Sequence, residues 1–268
     1  MEGMTRHYLL GDSSRETERL RFQAALWDPV SHALFDRLGV GEGWRVLEIG
    51  PGAGSLHLEL RRRVRGPIDA VEQSPSFSKS LIRVIKQDGF GAGRIWTEKL
   101  QDVTLPADTY DLIFARWVFL FLHDPAAHLR KLMAALKPGG LIAIQDYYRD
   151  TFCLVPLPPA WDAFKAADRA FFATQDARAN IGAELPRHFS EVGLHTVEIT
   201  PSVKTGHPGS DVWKWLTDYY LGVLDQYAKL PPLNEQLAAE IRQAWLDAER
   251  DPASLLIAPT VLDVVGRK

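Results

Sequence analysis

The chain has 268 residues and a mass of 30.1 kDa, room for one large domain or two small ones at roughly 150 residues each. Thirty-one basic and thirty-four acidic side chains leave a net charge of −3, without the basic excess of a dedicated nucleic-acid binder. A single cysteine, Cys153, excludes an internal disulfide or a cysteine-rich zinc site and suits a reducing, cytoplasmic setting. The first residues carry no apolar signal segment, and the longest apolar run, 117–122, is far too short to span a bilayer.

Residues 13–29 read as a helix, with Ser13 or Ser14 as cap, Glu16 and Glu18 in the first turns and Pro29 as its end. A shorter helix over Val30–Leu38 is stopped by Gly39 and Gly41. From Arg45, short apolar runs alternate with helical stretches. Strands fall at 45–50, 68–72, 94–98, 110–115 and 141–146, and helices at 55–64, 75–87 and 124–140. Ser74 caps the second of these helices, with Pro75 in its first position, and Asp124 caps the third. Apolar strands alternating with helices argue for a parallel sheet covered on both faces. Beyond Asp146 the pattern loosens into a Pro-rich connector at 155–161 and a helix over 161–174. A helix ended by Gly193 and a strand follow, then helices at 211–232 and 233–250 and a final strand from Thr260. The expected architecture is α/β, with a doubly wound, seven-stranded, mostly parallel sheet.

Gly50, Gly52 and Gly54 stand directly after a strand and directly before a helix. Glycine lets the backbone turn tightly and approach a ligand where a Cβ would collide. The free N–H groups at the helix start suit anionic or polar ligand groups. Glu72 ends the next strand, where an acidic side chain takes both hydroxyls of a ribose. Spacing then separates the adenosine-containing ligands. A dinucleotide fingerprint needs a glycine three residues further on, but Ser55 stands at that distance from Gly52, and His57 from Gly54. A P-loop needs a lysine after the loop, and none is there. Glu48, two residues before the loop, repels a pyrophosphate and suits an ammonium group. S-adenosylmethionine carries a ribose, an ammonium and a sulfonium, and no phosphate.

On these residues the sequence resembles the class I S-adenosylmethionine-dependent methyltransferases of the small-molecule type, which are Rossmann-like. The resemblance covers residues 45–148 closely and the last strand loosely. It rests on VLEIGPGAG at 46–54, on Glu72, on LPADTYDLIFAR at 105–116 and on ALKPGG at 135–140. It implies that Glu48 and the loop of Gly50, Gly52 and Gly54 face the methionine part, that Glu72 holds the ribose, and that Gln73 lies beside ribose and adenine. The family's Asp-Ala pair at the adenine edge falls on Lys99–Leu100–Gln101 here. That departure leaves the Leu100 backbone N–H and the Gln101 side chain for the adenine. Ala115 and Arg116 would pass the sulfonium end. Tyr8, in an N-terminal segment similar to one seen in small-molecule members, would close over the cofactor with its ring against the sulfonium. The implied organisation is a helical N-terminal segment (1–44), a cofactor-binding core (45–150) and a remainder (151–268) with a helical lid at about 208–252.

Methyl transfer from a sulfonium is an in-line displacement, so the protein chiefly holds the nucleophile close and in line, and at times removes a proton. No Ser-His-Asp or Cys-His set is legible. A catechol-type metal site needs carboxylates at the ends of the fourth and fifth strands. The fourth ends in Ala115–Arg116 and Asp146 stands alone at the fifth, so no metal is expected. The motifs of amino-methylating DNA enzymes and protein-arginine enzymes are absent after the fourth strand, and the basic run 61–65 suits a solvated helix face. What remains is aromatic. Trp117, Tyr148, Trp215 and Tyr219 are the candidate acceptor residues, in a pocket suited to a small, apolar or aromatic molecule. Trp213, Tyr220 and Tyr227 have helical spacing and belong to the core. His123 and Tyr147 are the candidate bases. The expectation is a metal-independent methyltransferase acting on an O, N or C nucleophile and releasing S-adenosylhomocysteine. No nucleic-acid or membrane partner is expected, and a homodimer is left open. A nicotinamide-dependent oxidoreductase and a non-catalytic S-adenosylmethionine-binding protein are the alternatives.

Overall fold

A computed structural model of the chain describes residues 14–86, 89–91 and 93–268. Its first element, α1 (Ser14–Leu38), runs straight through Pro29, where the sequence predicted two helices. An internal proline costs a helix about 3 kcal/mol. Trp27 before it and Leu34 and Phe35 after it are fully buried, at about 1.5–3 kcal/mol each, so tertiary packing outweighs the break.

There follow β1 (Val46–Ile49), α2 (Ser55–Val64), β2 (Asp69–Val71), α3 (Pro75–Ile85), β3 (Ile95–Trp96), β4 (Tyr110–Arg116), α4 (Pro125–Ala135) and β5 (Leu136–Tyr148). Next come β6 (Cys153–Val155), α5 (Trp161–Thr174), α6 (Ile181–Val192), β7 (His195–Ser202), β8 (Thr205–Gly206), α7 (Asp211–Tyr227), α8 (Glu235–Arg250), β9 (Leu255–Ile257) and β10 (Thr260–Arg267). Three of the caps expected from sequence hold, while Ser13, offered with Ser14 as cap of α1, lies outside the described residues. Ser74 Oγ accepts the Phe77 N–H at 3.4 Å, Asp124 Oδ1 accepts the Ala127 N–H at 2.9 Å, and Gly193 closes α6 in the left-handed region.

The main sheet has seven strands in the order β3-β2-β1-β4-β5-β10-β7. Neighbours from β3 to β5 pair in parallel, and β10 runs antiparallel between β5 and β7. Strand β4 shows why its apolar run is unbroken. Ile113 and Ala115 enter the core under α4 and α6, while Leu112 and Phe114 enter the core under α1 and α2. A strand buried on both faces needs apolar residues at every position.

Three expectations are corrected. Helix α4 stops at Ala135, and residues 136–140 already belong to β5; the proline and two glycines there cannot extend a helix. The strand expected at 94–98 pairs only at Ile95–Trp96. The connector opens with β6, which joins β9 and β8 in a small second sheet. Helices α5, α7 and α8 pack with that sheet and with Trp27 of α1 into a separate apolar cluster beside the main sheet.

Candidate functional site

The glycine loop lies where β1 hands over to α2. Gly50, Gly52 and Gly54 have φ angles of 67°, 53° and 86°, a backbone region open chiefly to glycine. A Cβ on Gly50 would stand 2.6 Å from Val118 Cγ2 after β4, whereas one on Gly52 would meet nothing within 4 Å. The loop is therefore packed on its inner side and open on its outer side. Glu72 braces it, accepting the Gly52 N–H at 3.1 Å and the Ser74 N–H at 2.8 Å. Glu72 is only 6% exposed, and burial pushes its carboxyl above the usual range, against the pull of the two N–H donors and with a push from the nearby Glu48 charge. Glu48 is itself buried, and its Oε2 lies 3.0 Å from Nδ1 of His57 on α2.

The carboxyl ends of β4 and β5 form the other wall. Ala115 is buried. Arg116 reaches back to α1, donating to Ser31 Oγ at 2.9 Å and to Asp28 at 2.7 Å. Ser31 donates to buried Gln145, which donates to Asp263 at 2.7 Å, itself bound by Arg37 at 2.6 Å. Trp117 sits at φ 55°, an uncommon and strained conformation for a bulky residue. Its N–H is held by the Gln145 carbonyl at 2.9 Å. In this conformation the indole lies flat on Tyr147, with ring centres 5.4 Å apart at 12°, and edge-on to Trp27 at 6.0 Å. Trp27 meets Trp215 at 5.7 Å. Asp146 points the other way, accepting the N–H groups of Leu120 and Tyr147; full burial raises its carboxyl to about 7.

Beyond Tyr147, Arg149 is buried against Asp168 of α5 at 2.6 Å and Tyr220 of α7 at 3.0 Å. Its guanidinium stands 4.5–5.8 Å from the rings of Phe172, Tyr219, Tyr220 and Tyr147, and Tyr227 donates to Asp168 at 2.6 Å. This cluster fastens the late helices to the end of β5.

The structure thus brings together Glu48, Gly50, Gly52, Gly54 and Glu72 on one side and Ala115, Arg116, Trp117 and Tyr147 on the other, with Trp215 and Tyr219 behind the latter. Gln73 is exposed next to Glu72. The Leu100 side chain is in the core, while Gln101 is exposed and its carbonyl accepts from Lys131 at 2.7 Å. Tyr148 does not join Tyr147: it points to the opposite side of β5 and is 36% exposed. His123 is not brought in either; its side chain is 79% exposed and pairs with Asp176 at 2.8 Å. Arg61 departs from the solvated face expected for residues 61–65, being fully buried and bonded to the Gly91 carbonyl at 2.6 Å. Tyr8 lies outside the described residues. Sequence reasoning missed His57, which it weighed only as a spacing, and also Asp28, Ser31, Gln145, Arg149 and Asp168. Their partners are far along the chain, so no local pattern marks them.

Two carboxylates flanking an open backbone loop suit a ligand with hydroxyl and ammonium donors, and repel a pyrophosphate. Glu48, Glu72 and the loop therefore fit S-adenosylmethionine, and the comparisons agree. Residues 47–144 match the family described as a methyltransferase domain. Over 231 residues the chain is 25% identical to methyltransferase GfsG of Streptomyces halstedii, covering 82% of this chain and 77% of that protein. Over 102 residues it is 29% identical to N-terminal Xaa-Pro-Lys N-methyltransferase 1 of Homo sapiens, covering 37% of this chain and 46% of that protein. The chain thus spans about half the length of the latter relative. A solved S-adenosylmethionine-dependent methyltransferase from Aquifex aeolicus shares the fold at a TM-score of 0.53 and 20% identity, over 70% of this chain and 92% of that one. Residues 47–144 thus match a methyltransferase domain, on a sheet whose fold is shared with a solved S-adenosylmethionine-dependent methyltransferase.

Proposed function

We propose that the protein transfers a methyl group from S-adenosylmethionine to an O, N or C nucleophile of a small, planar, largely apolar molecule, without a metal. The observation that carries this reading is the Trp117–Tyr147 stack at the carboxyl ends of β4 and β5, for which the surroundings hold Trp117 in a strained backbone conformation. Ligands of open α/β sheets lie beyond those ends, and stacked aromatic walls favour flat apolar partners. Val118, the neighbour of Trp117, touches Gly50, so the acceptor wall and the cofactor loop adjoin.

The cofactor supplies a methyl group already activated by its sulfonium. The chain's part is then to bind and align. Glu72 takes the ribose hydroxyls, with Gln73 alongside; Glu48 and the glycine loop take the amino-acid half; the Leu100 N–H and Gln101 take the adenine edge. The backbone at Ala115, whose side chain is in the core, passes the methionine end, and Trp117, Tyr147, Trp215 and Tyr219 shape the acceptor side, with the helices over 208–252 as lid. Burial drives the Tyr147 phenol well above its usual range, which leaves it a proton donor rather than a base at neutral pH. His123 is on the surface. The reading therefore relies on proximity and orientation. The acceptor is a small molecule rather than a nucleic acid, and the setting is cytoplasmic; among the described residues no helix is long and apolar enough to cross a membrane.

Ligand-dependent melting tests the reading. At 100 times its dissociation constant a ligand adds about 2.7 kcal/mol, which at roughly 2–4 °C per kcal/mol raises the midpoint by about 5–10 °C. S-adenosylhomocysteine should produce that shift and NADP none; a shift with NADP alone refutes the reading. Release of S-adenosylhomocysteine with an added acceptor then separates turnover from mere binding.

A further inference from the structure

Beneath the glycine loop, the contact between Glu48 and His57 has a geometry that suggests a division of labour. His57 lies in the first turn of α2, and helical side chains lean toward the N-terminus of their own helix, which brings the imidazole back over the end of β1. The imidazole is wholly buried and the Glu48 side chain 4% exposed. Nδ1 meets Oε2 at 3.0 Å. Nε2 has no partner, so Glu48 is the polar contact of the ring among the described residues. Glu48 Oε1, in turn, has no hydrogen-bond partner among the described residues. A buried carboxylate is costly unless paired, and here one oxygen is clamped while the other keeps its full accepting capacity. The neighbouring carboxylate of Glu72 makes the place still more receptive to a cation, since the two charges raise each other's cost.

We propose that His57 is a positioning residue: it clamps Glu48 through Oε2 and so presents Oε1 to the ammonium group of the cofactor's amino-acid half. The inference rests on the reading of the chain as an S-adenosylmethionine-binding protein. Without the clamp, the glutamate's side-chain torsions are freed and the ammonium meets a carboxylate of no fixed orientation. The loss falls on the amino-acid half of the ligand and spares the adenosine half.

Titration calorimetry with two ligands reads that difference. S-adenosylhomocysteine carries the ammonium, whereas 5′-methylthioadenosine keeps the adenosine and thioether and lacks the amino-acid group. His57→Phe keeps the bulk of the ring without its nitrogens. It should weaken S-adenosylhomocysteine by about 5- to 20-fold, at about 1.4 kcal/mol per decade for part of a charged hydrogen bond, and leave methylthioadenosine unchanged. His57→Asn, which can offer an N–H from the place of Nδ1, should restore most of the affinity. If the Phe variant does not fold, His57→Gln, whose amide lies nearer the place of Nε2, carries the same expectation as Phe. Equal losses for both ligands would mean that the ring only fills space, and no loss for S-adenosylhomocysteine would mean that Glu48 needs no clamp; either result overturns the proposal. Failure of the wild type to bind S-adenosylhomocysteine would instead overturn the cofactor reading, and this inference with it.

Discussion

Glu72→Ala removes a carboxylate that accepts the N–H groups of Gly52 at 3.1 Å and Ser74 at 2.8 Å, and that the cofactor reading gives to the ribose. Hydrogen bonds to a charged group contribute roughly 1.5–3 kcal/mol each. Two ribose bonds are lost, and water re-solvating the hydroxyls offsets part, so a net loss of about 2–3 kcal/mol is expected, or about 30- to 150-fold in affinity. Stability should move less, because two opposing effects meet. The freed N–H groups cost stability, while removal of a carboxylate whose pKa burial has raised returns some of it. Strand β2 stays in place, since Ala70 and Val71 keep their partners on β1 and β3. Calorimetry should show S-adenosylhomocysteine and 5′-methylthioadenosine weakened alike, because both carry the ribose. A folded mutant whose affinities change less than threefold refutes the role of Glu72 as ribose ligand.

Two further substitutions test the buried charges. Asp146 binds its proton more tightly in the fold than outside it, at about 7 against 3.8. Its contribution to stability is therefore full below about pH 4 and lost as the pH rises through about 7. Relative to Asp146→Asn, the wild type should lose melting temperature between pH 5 and 8; parallel curves would count against a buried, protonatable Asp146. Arg149→Met should cost about 3–5 kcal/mol in denaturant unfolding by leaving Asp168 buried and unpaired, and the double variant with Asp168→Asn should recover most of that. A double variant no better than the single one would show that the aromatic contacts of Arg149, rather than its charge, hold the late helices to β5.

What the sequence made legible was local. The alternation of apolar strands and helices, the caps at Ser74 and Asp124, and the glycine loop with Glu72 are all written within short windows, because neighbours along the chain are neighbours in those structures. Features decided by distant packing were hidden. Pro29 is a valid stop signal taken alone, and only the burial of Trp27, Leu34 and Phe35 overrides it. Strands β6, β8 and β9 have two or three residues each, too few for a period to show. At the site, the left-handed backbone of Trp117 carries no residue signature, since a tryptophan there is held by its surroundings. Arg149 and Asp168, or Ser31 and Gln145, are distant in the chain and meet only in the packed fold.

Arg116 shows how such a hidden partner changes a role. The family resemblance sets it beside the sulfonium, yet two unit cations 4 Å apart repel by about 4 kcal/mol at an effective dielectric constant of 20. Asp28 of α1, 2.7 Å from Nη2 and with both side chains less than a fifth exposed, answers that charge. Arg116 therefore belongs first to the fastening of α1 over the strand ends, and on the cofactor reading its neutralisation by Asp28 would make the place tolerable for a cationic ligand. Asp28→Asn keeps the shape and removes the balance. It should weaken S-adenosylmethionine, which carries the sulfonium charge, by about fivefold relative to S-adenosylhomocysteine, whose sulfur is neutral; that is about 1 kcal/mol of repulsion after solvent screening. The assay is the ratio of the two dissociation constants at low salt, compared between wild type and mutant. An unchanged ratio in a folded mutant would place the sulfonium away from Arg116 and leave that residue a purely structural tie between α1 and β4.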